Sequence, residues 1–191
     1  MLKIVKDKDP IWDTEEFDVL LVGTSIYNQM NGGFQSKVRY KFPIVEDKNN
    51  KTKYADTAKL GTRLTIEGEP TISIMYICGY PRPNSPTIDY DALERCLRTA
   101  NAEFRGKKVL TTLVGSSEFD GSGDKEKCLK IIEENTNDLD ITVYDYVQKK
   151  RKDEINEQRL YLKSLQYTNK DKYDKLKTVF DLYLKKLYLN G

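Results

Sequence analysis

Two stretches of this 191-residue chain carry residue types that could hold an anion. In the first, Gly23-Thr24-Ser25 follow the apolar run Val19 to Val22 and lead through Asn28 and Asn31 to Gly32-Gly33 and Phe34. In the second, Gly115-Ser116-Ser117-Glu118-Phe119-Asp120-Gly121-Ser122-Gly123-Asp124 follows the apolar segment Lys108 to Val114. Each reads as a strand, a loop of small residues and the start of a helix. That layout suits phosphate, because bare glycines admit close approach and helix-start N–H groups point outward unpaired. Glycine and serine also make ordinary turns, so either loop alone is open to a purely structural reading. Two such cradles on one sheet edge suit a diphosphate. Neither loop ends in the Gly-Lys-Ser or Gly-Lys-Thr of a Walker A, and no G-x-G-x-x-G follows a strand.

The chain has no histidine. Imidazole general bases, Ser-His-Asp triads and His-liganded zinc are therefore excluded, and chemistry must rest on carboxylates, amides, hydroxyls or bound water. Cys78, Cys96 and Cys128 are odd in number and widely spaced, which leaves neither a disulfide framework nor a Cys-x-x-Cys metal site. A reducing, cytoplasmic compartment is expected, with no metal and no cofactor. No apolar run has the length of a membrane span, and the N-terminal MLKIVKDKDP has no signal-peptide hydrophobic region.

The elements that must position the two loops follow from periodicity. Leu2 to Val5 reads as a first strand and Asp7 to Pro10 as an acidic turn. Val19 to Val22 is a buried strand stopping at Gly23, and Phe34 to Tyr40 a short helix ended by Pro43. Val45 to Lys53 is polar and asparagine-rich, and reads as a mobile surface loop. Tyr54 to Lys59 reads as a brief helix. Thr62 to Ile66 and Thr71 to Cys78 read as a hairpin, followed by a rigid loop with three prolines from Gly79 to Pro86. Asp89 caps a helix from Tyr90 to Arg105 with Leu93, Leu97, Ala100 and Phe104 as its buried stripe. A further helix, Lys125 to Asn135, precedes a last strand, Ile141 to Val147. Strands alternating with helices predict a mostly parallel sheet covered on both faces.

Residues 148–191 differ in character. Ile155, Leu162 and Leu165, then Leu176, Phe180, Tyr183 and Leu187, predict two amphipathic helices separated near Thr168-Asn169, a helical hairpin. This stretch holds twelve Lys and Arg against six Asp and Glu in a chain of net charge +2, so the first 147 residues are net acidic. The surplus fits a nucleic-acid or acidic-partner surface, or simply the solvated face of helices that pack on the domain or on a second copy.

From Met1 to Val147 the order of motifs resembles the macro domain, an ADP-ribose-binding α/β/α module. The resemblance rests on Ile4 to Asp9, Val19 to Gly33, Gly61 before a strand, Ile77-Cys78-Gly79-Tyr80-Pro81, the loop from Gly115 and the strand Ile141 to Tyr144. It is closest to the small branch of ADP-ribose-1″-phosphate phosphatases and ADP-ribosyl hydrolases, in which Tyr40-Lys41-Phe42-Pro43 has its counterpart. The resemblance implies a three-layer α/β/α domain over residues 1–147, with a mixed sheet of about six strands and a basic helical extension over 148–191.

By position, the resemblance implies that Asp7 or Asp9 accepts from the adenine amino group and that Tyr146 lies near the adenine. It implies that Asn28, Asn31, Gly32, Gly33 and Phe34 hold the distal ribose and adjacent phosphate, and that Gly23, Thr24 and Ser25 are ligand-binding residues as well. Gly115, Ser116, Ser117, Glu118, Phe119, Gly121 and Ser122 would wrap the diphosphate. The usual Asn-Ala-Ala-Asn is Gly23-Thr24-Ser25-Ile26 here, and the usual three glycines are two.

Three functions follow as expectations. The first is hydrolysis of an ADP-ribose derivative, the 1″-phosphate or an ADP-ribosyl group on a macromolecule, with water positioned by Asn28, Asn31 or Asp120. The second is sequestering or reading ADP-ribose or a related nucleotide without turnover. The third is nucleic-acid binding through the basic C-terminal helices. No membrane partner is expected.

Overall fold

The computed structural model of the chain describes residues 1–79, 87–116, 121–145 and 151–189, and within the last stretch the side chains of 160–181. Residues Tyr80 to Pro86 of the expected loop Gly79 to Pro86 and the expected site residues Ser117, Glu118, Phe119, Asp120 and Tyr146 lie outside the described residues.

Six strands form one sheet: β1 Leu2–Lys6, β2 Val19–Ser25, β3 Arg63–Ile66, β4 Thr71–Cys78, β5 Lys108–Thr112 and β6 Asp140–Asp145. Their order is β1-β6-β5-β2-β4-β3. Every pairing is parallel except β3 with β4, the expected hairpin. The mixed six-strand sheet follows from the sequence pattern: strands separated by helices cross over to lie parallel, whereas Glu67-Gly68-Glu69-Pro70 turns the chain straight back.

Alternation along β2 divides the two faces. Val19 and Leu21, with Met75 and Ile77 of β4 and Val109, Ile141 and Val143, pack in one core with Leu93, Leu97, Ala100, Cys128 and Ile132. The last five come from α3 (Tyr90–Glu103) and α4 (Lys125–Asn135). Leu20, Val22, Ile74 and Tyr76 are buried on the opposite face. There α1 (Gly33–Lys41) contacts β2, and the Tyr76 hydroxyl donates to Asn49 Oδ1 of α2 (Pro43–Asn50) at 2.8 Å. Helices on both faces of a mixed sheet make the three expected layers.

Two stretches differ from the sequence reading. Residues 45–53, expected as a mobile loop, are mostly helical: Pro43 occupies the first turn of α2 and Glu46 lies near its start, both favourable there. The strand that begins at Val19 does not stop at Gly23 but runs to Ser25, so Gly23 and Thr24 are buried strand residues. A Cβ on Gly23 would lie 2.8 Å from Ile77 Cδ1, which explains a glycine inside a strand by close packing.

The chain divides into two units, Met1–Tyr146 and Val147–Gly191. In the second, α5 (Arg151–Thr168) and α6 (Lys170–Leu189) contact each other and are separated only by Asn169, whose Oδ1 accepts from Lys172 N–H at 3.1 Å as a helix cap. Leu162, Leu165, Leu176 and Phe180 of the expected stripes are buried. Among the described residues, no helix is long and apolar enough to cross a membrane.

Candidate functional site

The sheet brings the two glycine loops together. β2 and β5 are parallel neighbours, with Val19 beside Val109 and Leu21 beside Thr111, so the segments leaving their C-terminal ends start side by side. β4 flanks β2 on its other side, and the Ile26 N–H donates to Cys78 O at 3.0 Å. The C-terminal ends of β4, β2 and β5 thus share one rim, the part of an open α/β sheet where ligands bind.

The first loop is held mostly from inside. Ile26 and Met30 are buried anchors. The Thr24 hydroxyl donates to Gln29 O at 2.6 Å, and Ser25 Oγ accepts from Tyr27 N–H at 3.3 Å. Asn28, expected to position water, has a left-handed backbone (φ +59°), and its amide is engaged by protein: Nδ2 donates to Thr52 O at 2.9 Å, while Oδ1 accepts from Lys59 Nζ. Asn31 is exposed, and its Oδ1 accepts from Arg39 at 2.8 Å. Neither amide is simply aimed at solvent.

Gly32 then precedes α1 in extended backbone (φ −130°, ψ 166°) and offers no side-chain cap, whereas Asp89 and Asp124 cap α3 and α4 with their carboxylates. Gly33 enters the helix at φ +54°, the left-handed region that favours glycine. Phe34 is 6% exposed and anchors the helix start in the core, so it is a packing residue as well as a neighbour of the rim.

The second loop closes on itself. Gly115 is buried at φ +82°, its carbonyl accepts from Gly123 N–H at 2.7 Å, and Ser116 Oγ donates to Leu113 O at 2.7 Å. Gly121 O accepts from the N–H groups of Thr87 and Ile88, tying the loop to the segment entering α3. Ser122 is exposed at φ +52°.

The acidic turn separates its two aspartates. Asp7 is exposed, in left-handed backbone at φ +55°, with its N–H donating to Asp145 O. Asp9 caps the short 3-10 turn Pro10–Trp12 by accepting from Ile11 N–H at 3.1 Å, and its Oδ2 pairs with Lys37 Nζ of α1 at 2.5 Å, both side chains largely buried. Four residues on, Lys41 reaches Thr14 Oγ1 at 2.8 Å and Glu15 at 3.3 Å. Two lysines one turn apart thus fasten α1 to residues 9–16.

Asn49, Thr52, Lys59 and Tyr76 were missed by the sequence reading. Asn49 is fully buried on α2, accepts from Tyr76 and donates from Nδ2 to Asn28 O at 3.0 Å. Burial pushes the Tyr76 phenol above its ordinary range and Lys59 below its own, Asp56 opposing the latter shift. The signal available was weak: an asparagine-rich stretch with no apolar stripe. Buried Cys96 is pushed up to about 12 by desolvation, which makes it an inert thiol.

No known protein family and no curated protein matches the chain by sequence. Solved structures do match by shape. The macrodomain of Thermus aquaticus DarG aligns with 76% of this chain and 98% of its own, at 12% identity and a TM-score of 0.57. Thermosipho africanus DarTG in complex with ADP-ribose covers 78% of this chain and 43% of its own, at 12% identity and a TM-score of 0.57. The Trypanosoma brucei macrodomain in complex with ADP covers 93% of this chain and 68% of its own, at 12% identity and a TM-score of 0.54. The first unit is thus a three-layer α/β/α domain on a mixed sheet. Its fold is the macrodomain fold.

Proposed function

We propose that the chain binds ADP-ribose or a closely related nucleotide at the shared rim of β2, β4 and β5. The observation that carries this reading is the adjacency of β2 and β5, which starts both glycine loops from neighbouring strand ends, as a diphosphate requires. Support comes also from the macrodomain-fold proteins in complex with ADP-ribose and with ADP. Gly32 gives α1 no side-chain cap, and the dipole at a helix start favours the charge of a phosphate.

Binding is the primary reading, because Asn28 and Asn31 make hydrogen bonds within the protein that a water-positioning residue would have to give up. Hydrolysis of ADP-ribose-1″-phosphate, or of an ADP-ribosylated macromolecule, is the second reading, and it would place the burden on Asp120.

Gly32→Val tests the site. The extended backbone at Gly32 accepts a β-branched residue without backbone strain, unlike the left-handed Gly33, so the variant adds bulk at the helix start, and its melting temperature against the parent's checks that the fold is kept. Loss of one or two hydrogen bonds to a charged group costs about 1.5–3 kcal/mol each, so ADP-ribose affinity by calorimetry should fall tenfold to a hundredfold or more. Incubating the parent protein with ADP-ribose-1″-phosphate, with free phosphate as the readout, tests turnover. A parent that shows no heat with millimolar ADP-ribose would remove the binding reading.

A further inference from the structure

A non-glycine residue in left-handed backbone carries some strain, least for asparagine, and a dense set of surrounding contacts can determine that conformation. Around Asn28 that determination comes from two elements far away in sequence. Asn49 Nδ2 holds the Asn28 carbonyl at 3.0 Å, and Thr52 O accepts from Asn28 Nδ2 at 2.9 Å. Lys59 Nζ donates to Asn28 Oδ1 and to Thr52 Oγ1, the latter at 3.1 Å, and sits 4.6 Å from the centroid of the Tyr76 ring. Tyr76 in turn donates to Asn49 at 2.8 Å, which closes a ring of contacts through β4. The backbone adds one more link, Ala55 N–H to Ile26 O at 3.0 Å.

We infer that Asn49 and Lys59 are positioning residues for the ligand loop: through Asn28 they fix the chain from Ile26 to Gly32 in the shape that receives the ribose end of an ADP-ribose-like ligand. The ligand named here rests on the binding reading above; the brace itself rests on the geometry. Asn49 can do this because a buried amide has both a donor and an acceptor, and here each is used on a different element. Lys59 supplies a charged donor to an amide oxygen, the stronger kind of hydrogen bond, and the Tyr76 ring face offsets part of the loss of water around its ammonium. The short 3-10 turn Thr57–Lys59, capped by Asp56, delivers it.

Three variants and two measurements test the inference. Lys59→Met keeps the stem and removes the charge, Lys59→Arg restores a charged donor, and Lys53→Met removes an 80% exposed charge six residues away. ADP-ribose affinity is measured by calorimetry, and residue-resolved amide exchange over Ile26 to Gly32 is measured without ligand. Lys59→Met should weaken ADP-ribose on the order of tenfold and speed exchange in the loop by a similar factor, with α3 exchange unchanged. Lys59→Arg should recover most of both losses, and Lys53→Met should change neither. Unchanged loop exchange in Lys59→Met overturns the inference. So does an equal affinity loss in Lys53→Met, which would mean long-range charge rather than positioning. If the parent protein itself does not bind ADP-ribose, the ligand reading fails, and the exchange comparison alone decides whether Lys59 braces the loop.

Discussion

Gly115→Ala is expected to destabilise the first unit by about 2–5 kcal/mol, although the residue lies in a loop whose composition suggests ligand contact. Its backbone stands at φ +82°, where a Cβ costs about 1–2 kcal/mol, and that Cβ would lie 1.9 Å from Ile88 Cδ1. Ile88 is itself buried between the loop and α3, so relief requires moving packed atoms, for a further cost of about 1–3 kcal/mol. In a protein of this size the melting temperature should fall by roughly 5–15 °C. Adding Ile88→Ala to the variant removes the overlap but not the backbone strain, so the pair should cost less than the sum of the two single changes. A Gly115→Ala protein melting with the parent would mean that Ile88 does not close over this glycine. The same physics makes Gly115 a poor probe of binding, since any loss of affinity in that variant would be confounded by damage to the fold. Gly32, in extended backbone, is the cleaner probe of the rim.

What the sequence disclosed, and what it did not, follows the kind of interaction involved. The α3 helix was legible because Asp89 caps it and Leu93, Leu97 and Ala100 face the core at helical spacing. The β3–β4 hairpin was legible because its strands alternate and its turn is made of glycine, proline and glutamate. The α2 helix was not, because it buries one apolar residue, Val45, together with the polar Asn49, and so presents no apolar stripe to a periodicity reading. The role of Asn28 was hidden for a related reason. Its partners Asn49, Thr52 and Lys59 stand 21, 24 and 31 positions away, and a hydrogen bond leaves no periodic mark on a sequence. Proximity of the two glycine loops was readable as an expectation only because parallel sheets send successive strand ends to one edge; which strands are neighbours needed the structure. One local signal was available and went unused: Asp9-Pro10 is a cap residue followed by proline at the first helical position, which marks a helical turn whether or not Asp9 also meets a ligand.

Asp9 is where that difference has the largest measurable consequence. Its carboxylate caps the turn Pro10–Trp12 and pairs with Lys37, whose side chain is 6% exposed against 12% for Asp9. Asp9→Asn keeps an oxygen for the Ile11 N–H but leaves the Lys37 ammonium facing a neutral amide. Breaking a buried pair from one side costs about 3–5 kcal/mol, and the residual exposure of Asp9 argues for the lower end, about 3 kcal/mol. Lys37→Met alone should cost a comparable amount, since it removes the positive charge opposite the buried carboxylate instead. The double variant should recover much of the loss, because replacing a buried ion pair by groups of similar volume is often nearly neutral. Chemical denaturation of the four proteins gives the coupling energy directly, and a coupling within about 0.5 kcal/mol of zero would mean that the two residues act independently. The double variant also decides between two roles for Asp9. If it serves as a strut for α1, the refolded double variant should bind ADP-ribose like the parent, and the base contact falls to exposed Asp7. If it reads the adenine amino group, the double variant should be stable yet lose affinity by roughly tenfold or more, the cost of a hydrogen bond to a charged group.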